Sequence, residues 1–151
     1  MNKEELKLKL AELFPLAGFI ETGEWVTLEL SSADGKSIFR RLRHTPGLDF
    51  DYLFCLTCVD WKTHFTMVYH LSSTLHRQSL VIKIKLDRDQ PEIETVSDIW
   101  LTAEFHEREV YDLFGVRFLG HPDLRRLFLT EDWVGWPLRK DYEDPVNMIK
   151  L

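Results

Sequence analysis

Apolar residues recur at helical spacing at the start of the chain, and charged residues fill the positions between them. This pattern predicts an amphipathic helix over residues 3–14, with Asn2 as its N-cap and with Pro15 and Gly18 marking its end. The apolar stripe that we expect to face the core consists of Leu6, Leu10, Leu13 and Phe14.

Strands are predicted where apolar and polar residues alternate, or where short apolar runs occur. Residues 24–30 alternate as a half-buried strand does, and residues 19–20 begin a shorter strand before it. Residues 52–59 are apolar on both faces, which is typical of a central strand. Residues 65–71 and 79–86 complete the predicted sheet, because connections of normal length separate the three runs.

Residues 34–44 are compatible with two structures, because Asp34-Gly35 could close a hairpin. We favour a helix, since the apolar residues of this segment share one helical face and most of its arginines lie off that face. The residues on the apolar face are Ile38, Phe39 and Leu42.

The last helix is predicted to begin near Ser97 or Asp98 and to end at Phe114, where Gly115 supplies a C-terminal cap. The predicted order of elements is therefore α-β-α-β-β-β-α. This order predicts an α+β fold in which a mixed or antiparallel sheet packs against helices.

Regular periodicity stops after Phe118. We therefore divide the chain into an α+β domain, residues 1–118, and an extended, irregular, partner-binding C-terminal segment, residues 119–151. Residues 100–142 hold nine of the 19 aromatic residues, interspersed with Arg, Asp and Glu. Aromatic side chains contribute most when they are buried, whereas buried charge is costly unless it is paired. We expect a region with both properties to be covered by another subunit as well as by its own domain.

The composition is that of one globular domain of 151 residues, 44% of them hydrophobic. The net charge of −6 argues against nucleic acid as a partner, because nucleic-acid binding favours basic patches. No apolar run approaches the roughly 18 residues of a membrane span. The charged N-terminus lacks the apolar core of a signal peptide. We therefore expect a cytosolic chain that reaches a membrane only through a partner.

Cys55 and Cys58 have the CxxC spacing of a redox pair or of half a zinc site. A free redox or metal-binding module is therefore one hypothesis. A zinc site, however, needs about four ligands, and the sequence has no second CxxC or His pair at metal spacing. The pair also lies in an apolar run, where a free cysteine usually behaves as a small hydrophobic residue, so we favour burial in the core.

The predicted last helix carries charges at helical spacing. Glu104, Arg108 and Asp112 are four residues apart, so Arg108 is placed to bridge both carboxylates. An independent enzyme using paired carboxylates is a second hypothesis. His106-Glu107 begins a zinc-protease pattern, but Val110 stands where the second histidine is needed. We favour an ion-paired helix that fixes the geometry of the C-terminal segment or contacts a partner.

The segment EREVYDLFGVRFLGHPDLRRLFL closely resembles the signature of the C subunit (30 kDa type) of the proton-pumping NADH–quinone oxidoreductase, respiratory complex I. The later DWVGWPLRKDY, residues 132–142, resembles the second sequence block of that family, and the resemblance covers about residues 50–145. The chain departs from the family at Phe105, where we expect Trp in many members. The matching signature positions are Glu107, Arg108, Glu109, Asp112, Leu113, Phe114, His121, Arg125, Leu127 and Phe128.

The resemblance implies a non-catalytic α+β subunit in the peripheral arm, on the cytoplasmic side of the cell membrane. It implies that this chain binds no cofactor or metal, while the complex as a whole uses FMN, iron–sulfur clusters and quinone. Members place their C-terminal segment along the D subunit of the quinone module and close to the B subunit. Relatives also occur in photosynthetic NAD(P)H dehydrogenase-like complexes and membrane-bound hydrogenases, so the electron donor stays open. The end at Leu151 leads us to expect a separate C subunit and not a fused C–D polypeptide.

Together, the residue pattern and the resemblance identify the side chains that we expect at the partner interface. Basic residues would meet carboxylates or carbonyl groups of the partner, and the large aromatic residues would be the buried anchors. The predicted interface consists of Glu107, Arg108, Glu109, Tyr111, Asp112, His121, Arg125, Arg126, Trp133, Trp136, Arg139, Lys140, Asp141 and Tyr142.

Overall fold

The computed structural model describes residues 2–20 and 23–144, so the end of the predicted partner-binding segment, residues 145–151, lies outside the described residues. The predicted α+β class is confirmed: a sheet of five strands packs against three helices. The elements in chain order are α1 (Lys3–Leu13), β1 (Gly18–Ile20), β2 (Val26–Leu30), α2 (Ser32–His44), β3 (Tyr52–Asp60), β4 (His64–Ser73), β5 (Gln78–Asp87), β6 (Glu92–Glu94), α3 (Ala103–Phe114) and β7 (Arg117–Leu119).

The main sheet has the strand order β1-β2-β5-β4-β3. The pair β2–β5 is parallel, and the other neighbouring pairs are antiparallel, so the sheet is mixed. The prediction that residues 52–59 form a central strand is wrong, because β3 lies at the edge. Helix α3 packs along the core face of the strand, where the hydroxyl of Thr102 at the start of α3 donates to the carbonyl of Leu53 at 2.8 Å. Tyr52 and Phe54 lie on the other face and are 47% and 37% exposed.

The three helices pack on one face of the sheet. Leu10 of α1, Phe39 of α2 and Val110 of α3 share one hydrophobic core with Met67 and Ile82 of the central strands. The opposite face carries no helix within residues 2–20 and 23–144. Trp100 lies in the core with 2% of its surface exposed, and its indole N–H donates to the carbonyl of Phe50 at 2.9 Å.

Local sequence signals predicted the first two helices well. The Asn2 side chain accepts from the N–H of Glu5, whose own side chain accepts from the N–H of Asn2, so α1 begins with a capping box. Segment 34–44 belongs to α2, which excludes the hairpin alternative. The third helix, α3, begins at Ala103, later than Ser97 or Asp98, because residues 97–102 form turns instead of helix. The short parallel pair β6–β7 was not predicted, since three-residue strands carry almost no periodicity.

The two cysteines lie on opposite faces of β3. Cys58 faces the core and is buried, whereas Cys55 lies opposite His70 on the outer face and is half-buried. Side chains on opposite faces of one strand cannot join in a disulfide or share a metal ion. Within the described ranges, no three or more His, Cys, Asp and Glu residues are grouped in a way that could hold a metal ion. No described helix has the length and apolar character needed to cross a bilayer.

Candidate partner-binding site

The C-terminal segment folds back over α3 and is anchored there by a buried carboxylate. Asp112 has 0% of its surface exposed. Its Oδ2 accepts from the backbone N–H groups of Leu127 at 3.2 Å, Phe128 at 2.7 Å and Leu129 at 3.1 Å. Burial alone raises the pKa of Asp112, but these N–H bonds and the Arg126 guanidinium outweigh burial and hold the pKa below its usual value.

Arg126 completes this anchor from the opposite side. Its Nη1 donates to Oδ1 of Asp112 at 3.1 Å, and its Nη2 donates to the carbonyls of Trp133 and Gly135 at 3.1 and 3.0 Å. The guanidinium also stacks over the Trp136 ring at 4.6 Å. One arginine therefore joins α3 to two later turns of an otherwise irregular segment.

Arg108 serves the same segment. Its Nε and Nη2 donate to the carbonyls of Arg125 and Arg126 at 3.2 and 3.0 Å, so the prediction that Arg108 bridges the carboxylates of Glu104 and Asp112 is wrong. The backbone of the C-terminal segment covers this face of the helix and offers carbonyl groups that the sequence pattern does not reveal. The preferred hypothesis was an ion-paired helix that fixes the segment or contacts a partner; Arg108 does fix the segment, but through backbone carbonyl groups and not through ion pairs along the helix.

His121 fixes the beginning of the segment. Its Nε2 lies 2.9 Å from the carbonyl oxygen of Glu104, and its Nδ1 accepts from the N–H of Asp123 at 3.0 Å. This pair of contacts requires the ring proton on Nε2. The histidine therefore acts as a bridge between α3 and the turn that follows β7.

A second anchor holds the far end of the segment against the ends of β3 and β5. Asp60 is 3% exposed and accepts two hydrogen bonds from Arg88, each at 2.9 Å. It also accepts from the backbone N–H of Lys140 at 2.9 Å, and Arg88 continues to Asp141 at 2.8 Å. Hydrogen bonds from Arg88 hold the pKa of Asp60 well below its usual range. Sequence analysis did not identify Asp60 and Arg88, because no local signal links positions this far apart.

Arg139 closes the C-terminus of α3. Its Nε donates to the carbonyl of Phe114 at 2.7 Å, and its guanidinium lies 5.1 Å from the centre of the Phe65 ring. A cation at a helix C-terminus is favourable because the last carbonyls there carry partial negative charge. Arg139 thus contacts its own domain, although its sequence-predicted contact with a partner remains a prediction.

The Trp136 ring packs directly against the backbone of Gly115, where a larger residue would collide with it. The ring also packs edge-on against Tyr111 with centroids 5.4 Å apart. Gly115 has φ of +79°, and a Cβ atom built there would lie 2.6 Å from the Trp136 ring. The predicted C-terminal cap at Gly115 is confirmed, and this glycine also admits the tryptophan.

We expect Gly115→Ala to lower the free energy of unfolding by about 2 kcal/mol, because alanine is strained at positive φ and its methyl group displaces Trp136. Urea denaturation followed by tryptophan fluorescence measures both effects. Gly120→Ala is the matched control, since Gly120 has φ of +83° but a Cβ there would meet only Thr95 at an ordinary 3.5 Å. Equal losses in the two variants would contradict the role assigned to Trp136.

Glu107 points away from the segment and into the domain. It is 0% exposed and accepts from the hydroxyl of Thr95 at 2.9 Å and from the N–H of Val96 at 3.3 Å. Burial raises the pKa of Glu107 to about 7, although these hydrogen bonds oppose the shift. This carboxyl group connects α3 to the chain that leads into it.

Several side chains of the segment remain on the surface although its backbone is fixed. The exposed fraction is 67% for Phe128, 86% for Val134 and 52% for Leu138. Among the predicted interface residues, Arg125, Lys140 and Asp141 are exposed, Glu109, Trp133 and Tyr142 are half-buried, and Arg108 and Asp112 are buried. The residues that hold the segment in place are therefore distinct from the residues that the segment exposes to solvent.

The amino-acid sequence matches the family described as respiratory-chain NADH dehydrogenase, 30 Kd subunit, over residues 28–146. It is 49% identical over 112 residues to the C/D subunit of the NADH-quinone oxidoreductase of Phocaeicola vulgatus, covering 73% of this chain and 22% of that polypeptide. It is 39% identical over 137 residues to the C subunit of the NADH-quinone oxidoreductase of Chlorobium phaeobacteroides, covering 87% of this chain and 75% of the relative. The chain spans less than half the length of several such relatives.

The fold also matches a chain in the solved structure of the membrane-bound sulfane sulfur reductase, an archaeal respiratory membrane complex. The two chains are 26% identical, the match covers 93% of this chain and 85% of the other, and the TM-score is 0.79. Because the family match extends over most of the chain and includes α3 and most of the C-terminal segment, the chain belongs to the 30 kDa subunit family of respiratory-chain NADH dehydrogenase.

Proposed function

We propose that the chain is a non-catalytic structural subunit in the peripheral arm of a proton-translocating NADH–quinone oxidoreductase. In this role it holds neighbouring subunits in register while electrons pass from NADH to quinone. FMN, the iron–sulfur clusters and quinone are then bound by other subunits. The chain lies on the cytoplasmic side of the cell membrane and reaches the membrane only through the complex.

One observation carries this proposal: the backbone of the C-terminal segment is fixed from within, while its apolar side chains face outward. Asp112 and Arg126 hold residues 126–135, and Asp60 holds Lys140. Val134 and Leu138, between these anchors, remain largely exposed. A rigid segment that presents apolar side chains loses little conformational entropy when a partner covers it.

The partners proposed for this surface are the D and B subunits of the complex, with the D subunit along the segment. Support for the D subunit comes from relatives whose names describe a joined C/D polypeptide. A fusion keeps two modules together at high local concentration, which is favourable when they already bind each other. The sequence-predicted interface residues that remain exposed, Arg125, Lys140 and Asp141, lie on the same segment.

A non-catalytic role is supported by what the charged groups of α3 do. Arg108 and Asp112 hold the backbone of the C-terminal segment, and Glu107 holds Thr95 and Val96. Each of these buried groups is therefore already committed to a contact that maintains the fold. An independent enzyme would need a buried charged side chain that is available to a substrate, and the buried charged side chains of α3 all bind groups of the chain itself.

A second candidate places the chain in a related complex with a different electron donor or acceptor. The observation that favours it is the structural match to a chain of the sulfane sulfur reductase, a respiratory complex with another activity. Equivalent subunits of membrane-bound hydrogenases and photosynthetic NAD(P)H dehydrogenase-like complexes belong to the same alternative. The scaffold role is the same in each case, and only the redox partners differ.

We expect the double variant Val134→Ser, Leu138→Ser to enter the assembled complex roughly tenfold less than the wild-type chain, because it removes apolar contacts at the interface core. Native gels of membranes from cells that carry the variant measure assembly, and NADH–quinone reductase activity measures the consequence. The matched control is Leu16→Ser, Leu75→Ser, which changes residues with exposed fractions of 95% and 73% outside the segment. Normal assembly of the segment variant would contradict the proposed interface.

A further inference from the structure

The face of the main sheet that lies opposite the helices carries an aromatic cluster. Between ring centroids, Phe54 lies 6.1 Å from Trp25 and 6.1 Å from Tyr52. The ring of His70 lies 5.6 Å from that of Phe54 and 6.0 Å from that of Trp25. Trp25, Tyr52 and Phe54 are all exposed. Exposed aromatic residues in mutual contact form an apolar patch, and such patches are typical of surfaces that bind another molecule.

The apolar surface extends from this cluster across the middle of the sheet. Val68 of β4 and Val81 of β5 lie on the same face, because the residues next to them belong to the core and side chains alternate along a strand. A groove of about 410 Å³ continues the surface towards the turn between β3 and β4, and Trp61, Thr66 and Ile20 help to line it. Apolar side chains therefore follow one another over most of the length of the central strands.

A positive charge without a partner lies in the middle of this face. Lys83 is half-buried and lies opposite Val68 in the strand register. Burial lowers the pKa of His70, and the nearby charge of Lys83 lowers it further, so the ammonium group lies close to the aromatic cluster. Lys85 on the same face pairs with Glu29 at 3.6 Å, whereas Lys83 forms no hydrogen bond or ion pair with the described parts of the chain, residues 2–20 and 23–144. A half-buried cation among apolar side chains is complementary to a carboxylate on a molecule that covers it.

The position of this face in the sheet favours a helix as the element that covers it. An added strand needs the free N–H and C=O groups of a sheet edge. The strands β2, β5 and β4 each have a neighbour on both sides, so the middle of the face offers side chains and no free edge. A sheet that is apolar on both faces is stable when another layer covers each face, and the helices of this chain cover only one.

We propose that this surface is the docking site for an acidic amphipathic helix of another subunit, which packs its apolar side on the sheet and places an Asp or Glu side chain opposite Lys83. We name this surface the helix-free face and define it by Trp25, Phe54, Trp61, Val68, Val81 and Lys83. The inference rests on the proposed function, since a multisubunit complex supplies such a helix. A second copy of this chain is a poor occupant, because a two-fold axis through the centre of the face would bring two Lys83 side chains together.

Site-specific crosslinking tests what covers the helix-free face. Thr57 is exposed on β3 and lies opposite Val68 in the register, so Thr57→p-benzoylphenylalanine places the probe on this face of the tagged full chain within its complex. We expect a crosslink to a peptide of another subunit that contains Asp or Glu and whose apolar residues recur every three or four positions. The same replacement at Leu75, exposed in the turn between β4 and β5, is the control and should not reach that peptide. A crosslink to a second copy, to lipid or to a peptide without these features would overturn the proposal, as would the absence of any crosslink.

Charge reversal tests the role of Lys83 separately. We expect Lys83→Glu to lower the yield of this crosslink roughly tenfold and Lys83→Gln to lower it less, because only the first creates repulsion. Changing the acidic residue of the crosslinked peptide to lysine should restore the yield with Lys83→Glu, which a merely misfolded chain would not allow. Arg117→Glu, which reverses an exposed charge on β7, is the matched control and should leave the yield unchanged.

The same experiment distinguishes this inference from the proposed function. Native gels report whether the tagged chain enters a complex at all, independently of the crosslink. A chain that enters the complex but gives an unchanged crosslink yield with Lys83→Glu would overturn this inference and leave the proposed function standing. A wild-type chain that enters no complex would overturn both.

Discussion

Replacing Asp112 by alanine is expected to lower the free energy of unfolding by about 3–5 kcal/mol, which is the usual cost of removing one partner of a buried ion pair. Asp112 is fully buried and pairs with Arg126, whose side chain is 8% exposed. The variant leaves that guanidinium without its carboxylate, and the N–H groups of Leu127, Phe128 and Leu129 lose their acceptor. Urea denaturation monitored by circular dichroism measures the loss.

Asp112→Ala should also release the segment before the domain unfolds. We expect trypsin to cut after Arg125 or Arg126 at a urea concentration that leaves the wild-type chain intact, because the anchor that holds these residues is gone. Asp123→Ala is the matched control: Asp123 pairs with Arg125 on the surface, and exposed pairs contribute about 0–1 kcal/mol. If the Asp112 and Asp123 variants lost equal stability, the carboxylate would not be the anchor of the segment.

Replacing Glu107 by glutamine is expected to remove a pH dependence of stability worth about 3 kcal/mol. Burial raises the pKa of Glu107 from 4.5 to about 7, and each pH unit of such a difference corresponds to roughly 1.4 kcal/mol. The folded state therefore binds a proton that the unfolded state releases between these two values. The contribution of protonated Glu107 to the free energy of unfolding is therefore fully present below pH 4.5 and is lost as the pH rises through about 7.

The difference between wild-type and Glu107→Gln isolates this group. Other groups also make the free energy of unfolding depend on pH. Asp60 and Asp112 have lowered pKa values, so their stabilising contribution is lost only in acid, below the ordinary pKa of a carboxyl group. Burial lowers the pKa of His70, so its contribution makes the fold more stable as the pH rises, opposite to that of Glu107. These contributions cancel when the two proteins are compared at each pH. We expect the wild-type chain to lose about 3 kcal/mol relative to the variant between about pH 4.5 and 7.5, as measured by urea denaturation. A difference that stays constant with pH would show that Glu107 is not buried as a protonated acid.

Helices and strands that are determined by residues close together in the sequence were predictable. The arrangement of the strands in the sheet was not, because it depends on contacts between residues far apart in the sequence. Asn2 and the apolar stripe after it define α1, and alternation defines β5. The edge position of β3 was not predictable, because apolar residues on both faces suggest a central strand, whereas in the structure Tyr52 and Phe54 of this edge strand are 47% and 37% exposed. Alternation likewise gives no indication that β2 pairs with β5 in parallel.

The candidate site shows the same division. Sequence analysis identified Arg108, Asp112 and Arg126 as important, because charges among aromatics need partners. It could not show that their partners lie within the chain, since a backbone carbonyl leaves no signature in a sequence and the path of an irregular segment is set by packing. Asp60 and Arg88 were missed for this reason: Asp60 ends β3 and Arg88 follows β5, and it is the pairing of both strands with β4 that brings them together.

The parallel pairing of β2 with β5 constrains how the chain matures on the ribosome. Val26 of β2 lies opposite Leu80 of β5, and everything between them must emerge before that contact can form. Until then α1, β1, β2 and α2 expose the core side chains that the central strands later cover, and such surfaces are prone to aggregate. Nascent chains that stop before Gln78 should therefore need chaperone protection, whereas chains that extend past Asp87 should have the whole five-stranded sheet available.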